Sequence, residues 1–412
     1  MGLLAVIAAC RSAPRNPRRE VSSRIETVRA ALRDGELERA EEQLAYARQR
    51  FPDNGAVRLW SAKLAAMRWH TGEALEHLRA VVGAEDRGSW TQAEVEGEIG
   101  DLLFRAGRWR ESVPHLEAGQ VGPMGAARGA WAQLARDLPS VRDQPRLDFA
   151  ELPLVGDGLP RLVCAIGSKE RVFAVDTGAT FTTLSNTMAT ELDVSPVIAA
   201  GTGTDGTGRL FPTAVGILNS FSFGDVQVGH HPVLVVEDAR LQLREGGASG
   251  PHAVIGLDVI TRFRAIYDPQ RRSITFQTSK GLASPESVPC VWVDDRLLVA
   301  VVVEDRQLWF ALDTGASRSS LTDRGLTRLP GGARRAHETY WRVHTPGGVR
   351  VAVQVVRGLL LEVSDVRLPG VDLPVVEREP SAFFPLDGVL GADLLLRCRV
   401  TLDAGRVRIE AV

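Results

Sequence analysis

The tetrapeptide Asp-Thr-Gly-Ala stands twice in the chain, at Asp176–Ala179 and Asp313–Ala316, each time directly behind an apolar run with the composition of a β-strand. A single Asp-Thr-Gly triplet arises by chance in roughly one chain in ten of this size, but here the flanks match as well. Val172-Phe173-Ala174-Val175 leads into the first copy and Leu308-Trp309-Phe310-Ala311-Leu312 into the second, and Leu184 and Leu321 follow at equal offsets. A second shared block runs from Val254-Ile255-Gly256-Leu257-Asp258 through Arg262 and Arg264 to Asp268, and again from Val389-Leu390-Gly391-Ala392-Asp393 through Arg397 and Arg399 to Asp403. Its glycine trails the motif aspartate by 80 residues in one copy and 78 in the other. Such self-similarity marks a duplicated unit, here about 125 residues long and the size of a small domain. The fold must therefore hold two equivalent halves.

Duplication invites a two-fold arrangement in which both turns meet at the axis. Two carboxylates held that close cannot both ionise; one pKa rises and the pair titrates as a unit. Such a pair is acid and base at once: the ionised member draws a proton from a water while the protonated member donates to a carbonyl oxygen, giving a tetrahedral diol without a covalent intermediate. The glycine after Asp-Thr permits a tight turn and close approach to the other copy, and the threonine hydroxyl can bond across the axis. Gly256 and Gly391 are expected to let a buried strand pass close behind each turn. Asp258 and Asp393, ahead of short helical patterns, are expected to be N-caps.

These motifs, Asp-Thr-Gly-Ala followed by Thr or Ser and later hydrophobic-hydrophobic-Gly, resemble the retropepsin-like aspartic proteases, relatives of pepsin, over residues 150 to 412. The resemblance implies an all-β bilobal fold and an aspartic endopeptidase of bacterial type. It implies Asp176 and Asp313 as the catalytic pair, with Thr177, Gly178, Thr314 and Gly315 shaping the site. It also implies two flaps, β-hairpins closing over an extended peptide. Hairpin-turn glycines between β-prone runs place the candidates at Gly203, Asp205 and Gly206 in the first half and at His344, Gly347 and Gly348 in the second. Single-lobe relatives dimerise, whereas this chain reads as a fused pseudo-dimer, hence a monomer. Phe181 in the first copy faces Arg318 in the second, an asymmetry that would skew the subsites. The competing reading is a duplicated β-domain that binds peptides without cutting them.

Other chemistries find little support. Gly201, Gly203 and Gly206 match a dinucleotide fingerprint only on paper, because Arg209–Val215 reads as strand and no βαβ context surrounds it. His230 and His231, the one adjacent pair among eight histidines, would point to opposite strand faces, and no HExxH or paired CxxC occurs, so neither metal nor cofactor is expected. No G-x-S-x-G elbow is present. With formal net charge −2 and only three lysines among 49 basic residues, the chain carries no basic stripe for nucleic acid. Cys164, Cys290 and Cys398 are expected to be buried as small apolar residues.

The N-terminal region differs. Ile7-Ala8-Ala9 before Cys10 is similar to the end of a bacterial lipoprotein signal, although the segment is short and lacks a basic start, so residues 1–19 read as a signal remnant and tether. This would put the chain on the periplasmic side of the cell envelope, touching membrane only through a lipid on Cys10; the alternative is the cytoplasm. Residues 20–137 carry helical periodicity. Gly35–Leu44, His70–Leu78 and Gly107–Leu116 each place a small residue four before leucine, and the leucines are 34 and 38 residues apart. That resembles tetratricopeptide helix hairpins, whose concave face would recruit substrate or a partner protein; the alternative is an ordinary helical bundle. The organisation read is thus an all-α region to 137, a linker at 138–149, and all-β lobes at 150–282 and 283–412.

Overall fold

The computed structural model describes residues 17–412 apart from 87, 140–148, 157, 205–209, 242–251, 279–284, 346–347 and 378–382. Cys10, Asp205, Gly206 and Gly347 lie outside the described residues. Seven helices come first: α1 (Pro17–Asp34), α2 (Leu37–Arg50), α3 (Gly55–Met67), α4 (Thr71–Val81), α5 (Gln92–Arg105), α6 (Trp109–Ala118) and α7 (Gly125–Ala135). Local chemistry sets their starts. Asn54 Oδ1 accepts the Val57 N–H at 3.2 Å to open α3, and Thr91 with Glu94 forms a reciprocal capping box on α5. Leu44, Leu78 and Leu116 are all buried, as are Ala40, Ala74 and Ser112 one turn earlier, so the repeated spacing marks the inward face of each second helix. Among the described residues no helix is long and apolar enough to cross a membrane.

Among the described residues twenty strands follow, ten per half. The first half holds β1 (Phe149–Pro153), β2 (Arg161–Ile166), β3 (Lys169–Val175), β4 (Thr183–Ser185), β5 (Val197–Thr204), β6 (Leu210–Phe223), β7 (Val226–Val236), β8 (Ala253–Ile255), β9 (Phe263–Asp268) and β10 (Ser273–Thr278). The second holds β11 (Val288–Val293), β12 (Arg296–Val303), β13 (Arg306–Leu312), β14 (Ser320–Leu321), β15 (Ala336–Thr345), β16 (Gly348–Val363), β17 (Val366–Val375), β18 (Gly388–Leu390), β19 (Cys398–Asp403) and β20 (Arg406–Ala411). The duplication is visible strand by strand. In the first half β3 runs parallel to β8, which pairs antiparallel with β4, which runs parallel to β7. The second half repeats this with β13, β18, β14 and β17. The halves are joined where β9 pairs antiparallel with β19, Ile266 opposite Thr401, so strands of both contribute to one 13-stranded sheet beside a seven-stranded sheet of the first half.

Cys164, Cys290 and Cys398 are buried free thiols, and burial pushes the first two up to about 12. They serve as small apolar residues.

The helices are packed onto the β-lobes. Strand β13 is buried over five successive residues because both its faces are covered. Leu308, Phe310 and Leu312 point into the lobe core, while Trp309 and Ala311 point into a cluster built with α1, α2 and α3. Trp309 is 2% exposed and donates its indole N–H to Gly35 O at 3.0 Å. Gly35 turns the chain from α1 to α2 at φ 75°, and a Cβ there would sit 2.8 Å from the Trp309 ring, so only glycine fits. Around this contact Arg328 donates to Asp34 O at 3.0 Å and to the buried Asp387 carboxylate at 2.6 Å, and that carboxylate also accepts the Trp309 backbone N–H at 2.9 Å. Trp309→Ala should therefore cost about 3–5 kcal/mol, read as a loss of stability in chemical denaturation, with α1–α3 becoming more susceptible to limited proteolysis than the lobes.

Candidate active site

Each Asp-Thr-Gly turn is fixed from behind by its own half. Asp176 N–H donates to Ile255 O and Asp313 N–H to Leu390 O, both at 3.0 Å, so the end of β8 or β18 sets where the aspartate leaves β3 or β13. The next residue is Gly256 or Gly391. A Cβ on either would overlap the backbone of the loop that follows the turn, at 2.9 Å from Ala179 O and 2.8 Å from Ala316 O. The chain then bonds back: Leu257 N–H to Ala179 O and Ala392 N–H to Ala316 O, both at 2.8 Å.

Asp258 and Asp393 are not N-caps. They lie one residue inside the helical turns Leu257–Ile260 and Ala392–Leu395, whose caps are Gly256 and Gly391, and neither makes a side-chain cap. A better partner outcompetes the helix end. Asp258 Oδ1 accepts both the N–H and the hydroxyl of Thr182 at 2.9 Å, and Asp393 Oδ1 accepts both from Ser319 at 2.7 Å. Thr182 and Ser319 hydroxyls in turn accept the N–H of Gly256 and Gly391. These residues brace the loop after each turn, and the Thr/Ser six residues after each motif aspartate is the signal that could have indicated it.

Among the described residues the first half adds a layer with no counterpart in the second. His231, fully buried, donates from Nε2 to Asp258 Oδ2 at 2.9 Å while Nδ1 accepts from Arg262 at 3.0 Å. With Arg262 permanently a donor, Nδ1 must be the unprotonated nitrogen. Burial accordingly lowers the His231 pKa, and Trp109 of α6 packs against both its ring and the Arg262 guanidinium. The buried character of His231 was hidden in the sequence by its neighbour His230.

Across the junction the turns interlock. Thr177 N–H donates to Thr314 Oγ1 at 3.0 Å and Thr314 N–H to Thr177 Oγ1 at 3.1 Å. Thr177 Oγ1 donates to Leu312 O at 3.1 Å and Thr314 Oγ1 to Val175 O at 2.9 Å. Each hydroxyl thus accepts from and donates to the opposite half, using both capacities. Asp176 Oδ1 accepts N–H bonds from its own Gly178 at 2.7 Å and from Gly315 of the other half at 3.1 Å, and Asp313 Oδ1 accepts from Ala316 at 2.8 Å. A Cβ on Gly178 would overlap the Asp313 carboxylate, and one on Gly315 the Asp176 carboxylate, so both glycines are demanded by close approach. Asp176 is only 3% exposed. Burial first, and the neighbouring Asp313 charge second, push its pKa up to about 7 against the pull of the backbone N–H groups.

The described flap candidates, Gly203, His344 and Gly348, fall on two hairpins. Gly203 lies in β5, opposite Phe211 in the β5–β6 hairpin, and His344 and Gly348 lie in the backbone of the β15–β16 hairpin, with His344 paired to Val349. A bulge between Ala199 and Thr202 bends β5, and there Ala200 packs with Ala130 and Trp131 of α7. In the second half a bulge lies between Glu338 and Trp341, and Arg318 stacks over the Trp341 ring at 5.0 Å. Phe181 is drawn the other way, 5.0 Å from Trp131 and 6.4 Å from Phe104, ring to ring. Among the described residues no cluster suited to a metal ion is found.

The doubled β-lobe with paired Asp-Thr-Gly turns interlocked at its midline defines a bilobal protein of the aspartic-protease class. Residues 162–259 and 299–394, one segment in each lobe, each match the family model described as Aspartyl protease. Among solved structures it is similar to an aspartic proteinase from Irpex lacteus, at 14% identity over 64% of this chain and 97% of that one, TM-score 0.40. It is also similar to Basic 7S globulin from soybean, at 12% over 64% and 94%, TM-score 0.36, and to a retropepsin-like aspartic protease from Rickettsia conorii, at 17% over 32% and 99%, TM-score 0.24. No curated protein matches the chain.

The threonine interlock should behave as a structural clasp. Thr177→Val or Thr314→Val removes part-buried hydrogen bonds and strands their partners, and should lower stability by about 1–3 kcal/mol in denaturant titration, whereas the serine variants should keep most of it.

Proposed function

We infer that the chain is an aspartic endopeptidase in which Asp176 and Asp313 share one proton and activate water against a peptide carbonyl. The observation that carries this reading is the junction itself: reciprocal threonine bonds hold the buried Asp176 and the half-buried Asp313 carboxyls against each other's glycines, and Asp176 is shifted to about 7. The ionised carboxylate takes a proton from water as the new C–O bond forms, and the protonated one donates to the carbonyl oxygen. Collapse of the diol breaks the C–N bond and returns a proton to the leaving amine, leaving the pair with one proton as before. An extended peptide would lie beneath the β5–β6 and β15–β16 hairpins, its backbone recognised as an added strand and its side chains filling alternate pockets. The helices would take part through α7, which packs on the base of the β5–β6 hairpin, and would extend the surface that meets substrate.

Asp176→Asn or Asp313→Asn alone should reduce hydrolysis of a mixed peptide library by at least about 10²-fold while the denaturation midpoint stays at or above that of the unaltered chain; cleavage at the original rate by either variant would remove the assignment. The pH profile follows from the raised Asp176 pKa. The pair keeps its shared proton below about 7 and loses it above, so kcat/KM should fall as pH rises through about 7. A folded-state pKa above the ordinary value also means that the native state binds the proton more tightly than the unfolded chain. Its contribution to stability is present in acid and lost as pH rises through about 7, so Asp176→Asn should raise the melting temperature more at pH 8 than at pH 4.

A further inference from the structure

Between the helices and the lobes lies a cavity of about 320 Å³ whose wall is shared by α3, α5, α7, the loop after the first Asp-Thr-Gly turn and the β11–β12 hairpin. It reaches the loop that follows the first Asp-Thr-Gly turn. Phe181, five residues after Asp176, forms part of its wall, and the preceding Thr180 donates to Asp295 O at 2.9 Å, tying that loop to the hairpin on the far side. Aromatic rings line it from both regions, Phe181 against Trp131 on one side and Trp292 and Phe383 on the other.

The charges in the wall do not cancel. Asp101 is matched by Arg128, which donates to it at 2.8 Å. Glu98 from α5 and Asp294 and Asp295 from the hairpin have no hydrogen-bonded cation among the described residues. They face two cations: Lys63, whose ammonium lies 3.9 Å over the Phe383 ring, and Arg105, stacked over Trp292 at 5.1 Å. Burial raises the Glu98 carboxyl and lowers the Lys63 ammonium, the pattern of groups desolvated without a close partner. Three carboxyl groups against two cations, set among rings, leave room for one more cation of planar or elongated shape, whose charge would offset the burial that raises Glu98 and Asp295.

We propose that this cavity is a specificity pocket for a basic side chain, arginine or lysine, of a peptide lying across the Asp-Thr-Gly turns. The proposal deepens the endopeptidase reading and rests on it for the identity of the ligand, but binding can be measured without turnover. Hexa-alanine peptides blocked at both ends and carrying one arginine at each position in turn, with a matching citrulline set, would be titrated into the Asp176→Asn chain and followed by tryptophan fluorescence. At one position arginine should bind at least about tenfold tighter than citrulline, a difference equal to one charge-assisted contact. The double variant Glu98→Gln with Asp295→Asn should erase most of that preference. Lys63→Met, which removes the competing charge but keeps the apolar stem, should enlarge it, a gain that misfolding cannot mimic. Equal binding of arginine and citrulline peptides at every position, a preference untouched by the double variant, or one diminished by Lys63→Met would overturn the proposal. Hydrolysis by the unaltered chain without basic preference would sink the pocket and leave the endopeptidase reading standing; basic preference without hydrolysis would do the reverse.

Discussion

Four hydrogen bonds made by two threonines set the geometry on which the rest depends. Thr177 and Thr314 each give and receive across the junction, and because each also follows its aspartate directly, the carboxylates have no freedom to separate. Everything behind them serves to keep that register. The β8 and β18 strands hold the aspartate N–H groups, Gly256 and Gly391 allow those strands to pass at backbone distance, and Asp258 and Asp393 tie the loops down beyond the turn. The Asp176 proton affinity is a consequence: a buried acid beside a second acid holds its proton to a pH where an exposed one would have lost it.

Duplication gives the site its symmetry, and the helices break it. They cover the outer face of β13 with α1, α2 and α3, but reach the first half through α6 and α7, at His231, Arg262 and the base of the β5–β6 hairpin. The corresponding outer face of β3 carries Ala174 and an exposed Val172 where β13 carries Trp309 and Ala311. An α-helical region so deeply inserted is part of the β-lobes' packing, and the space it leaves is the aromatic, charge-bearing cavity beside the turns.

Much of the site was legible because its signals are local and repeated. Asp-Thr-Gly-Ala behind an apolar strand, and hydrophobic-hydrophobic-Gly some 80 residues later, name the residues at the junction, and the lobes match the aspartyl protease family. The burial of Leu44, Leu78 and Leu116 was likewise readable from spacing. What was not readable depends on distant partners. Asp258 looks like a cap until Thr182, 76 residues earlier, is seen to offer it two donors. The five-residue apolar run of β13 reads as an ordinary buried strand, and only the bond from Trp309 to Gly35, 274 residues apart, explains why both faces are apolar. His231 and Phe181 take their environments from helices with no sequence relation to the lobes. Pairing of β9 with β19 also merges strands that the duplication alone would assign to separate units.

Whether Asp176 and Asp313 share a proton is tested by following their carboxyl carbons with ¹³C-labelled aspartate in an NMR titration, each resonance assigned by its asparagine variant. Both signals should respond together, with the upper step near 7. Two independent titrations, each in the ordinary carboxylate range near 4, would mean that the turns do not bring these groups into contact in solution.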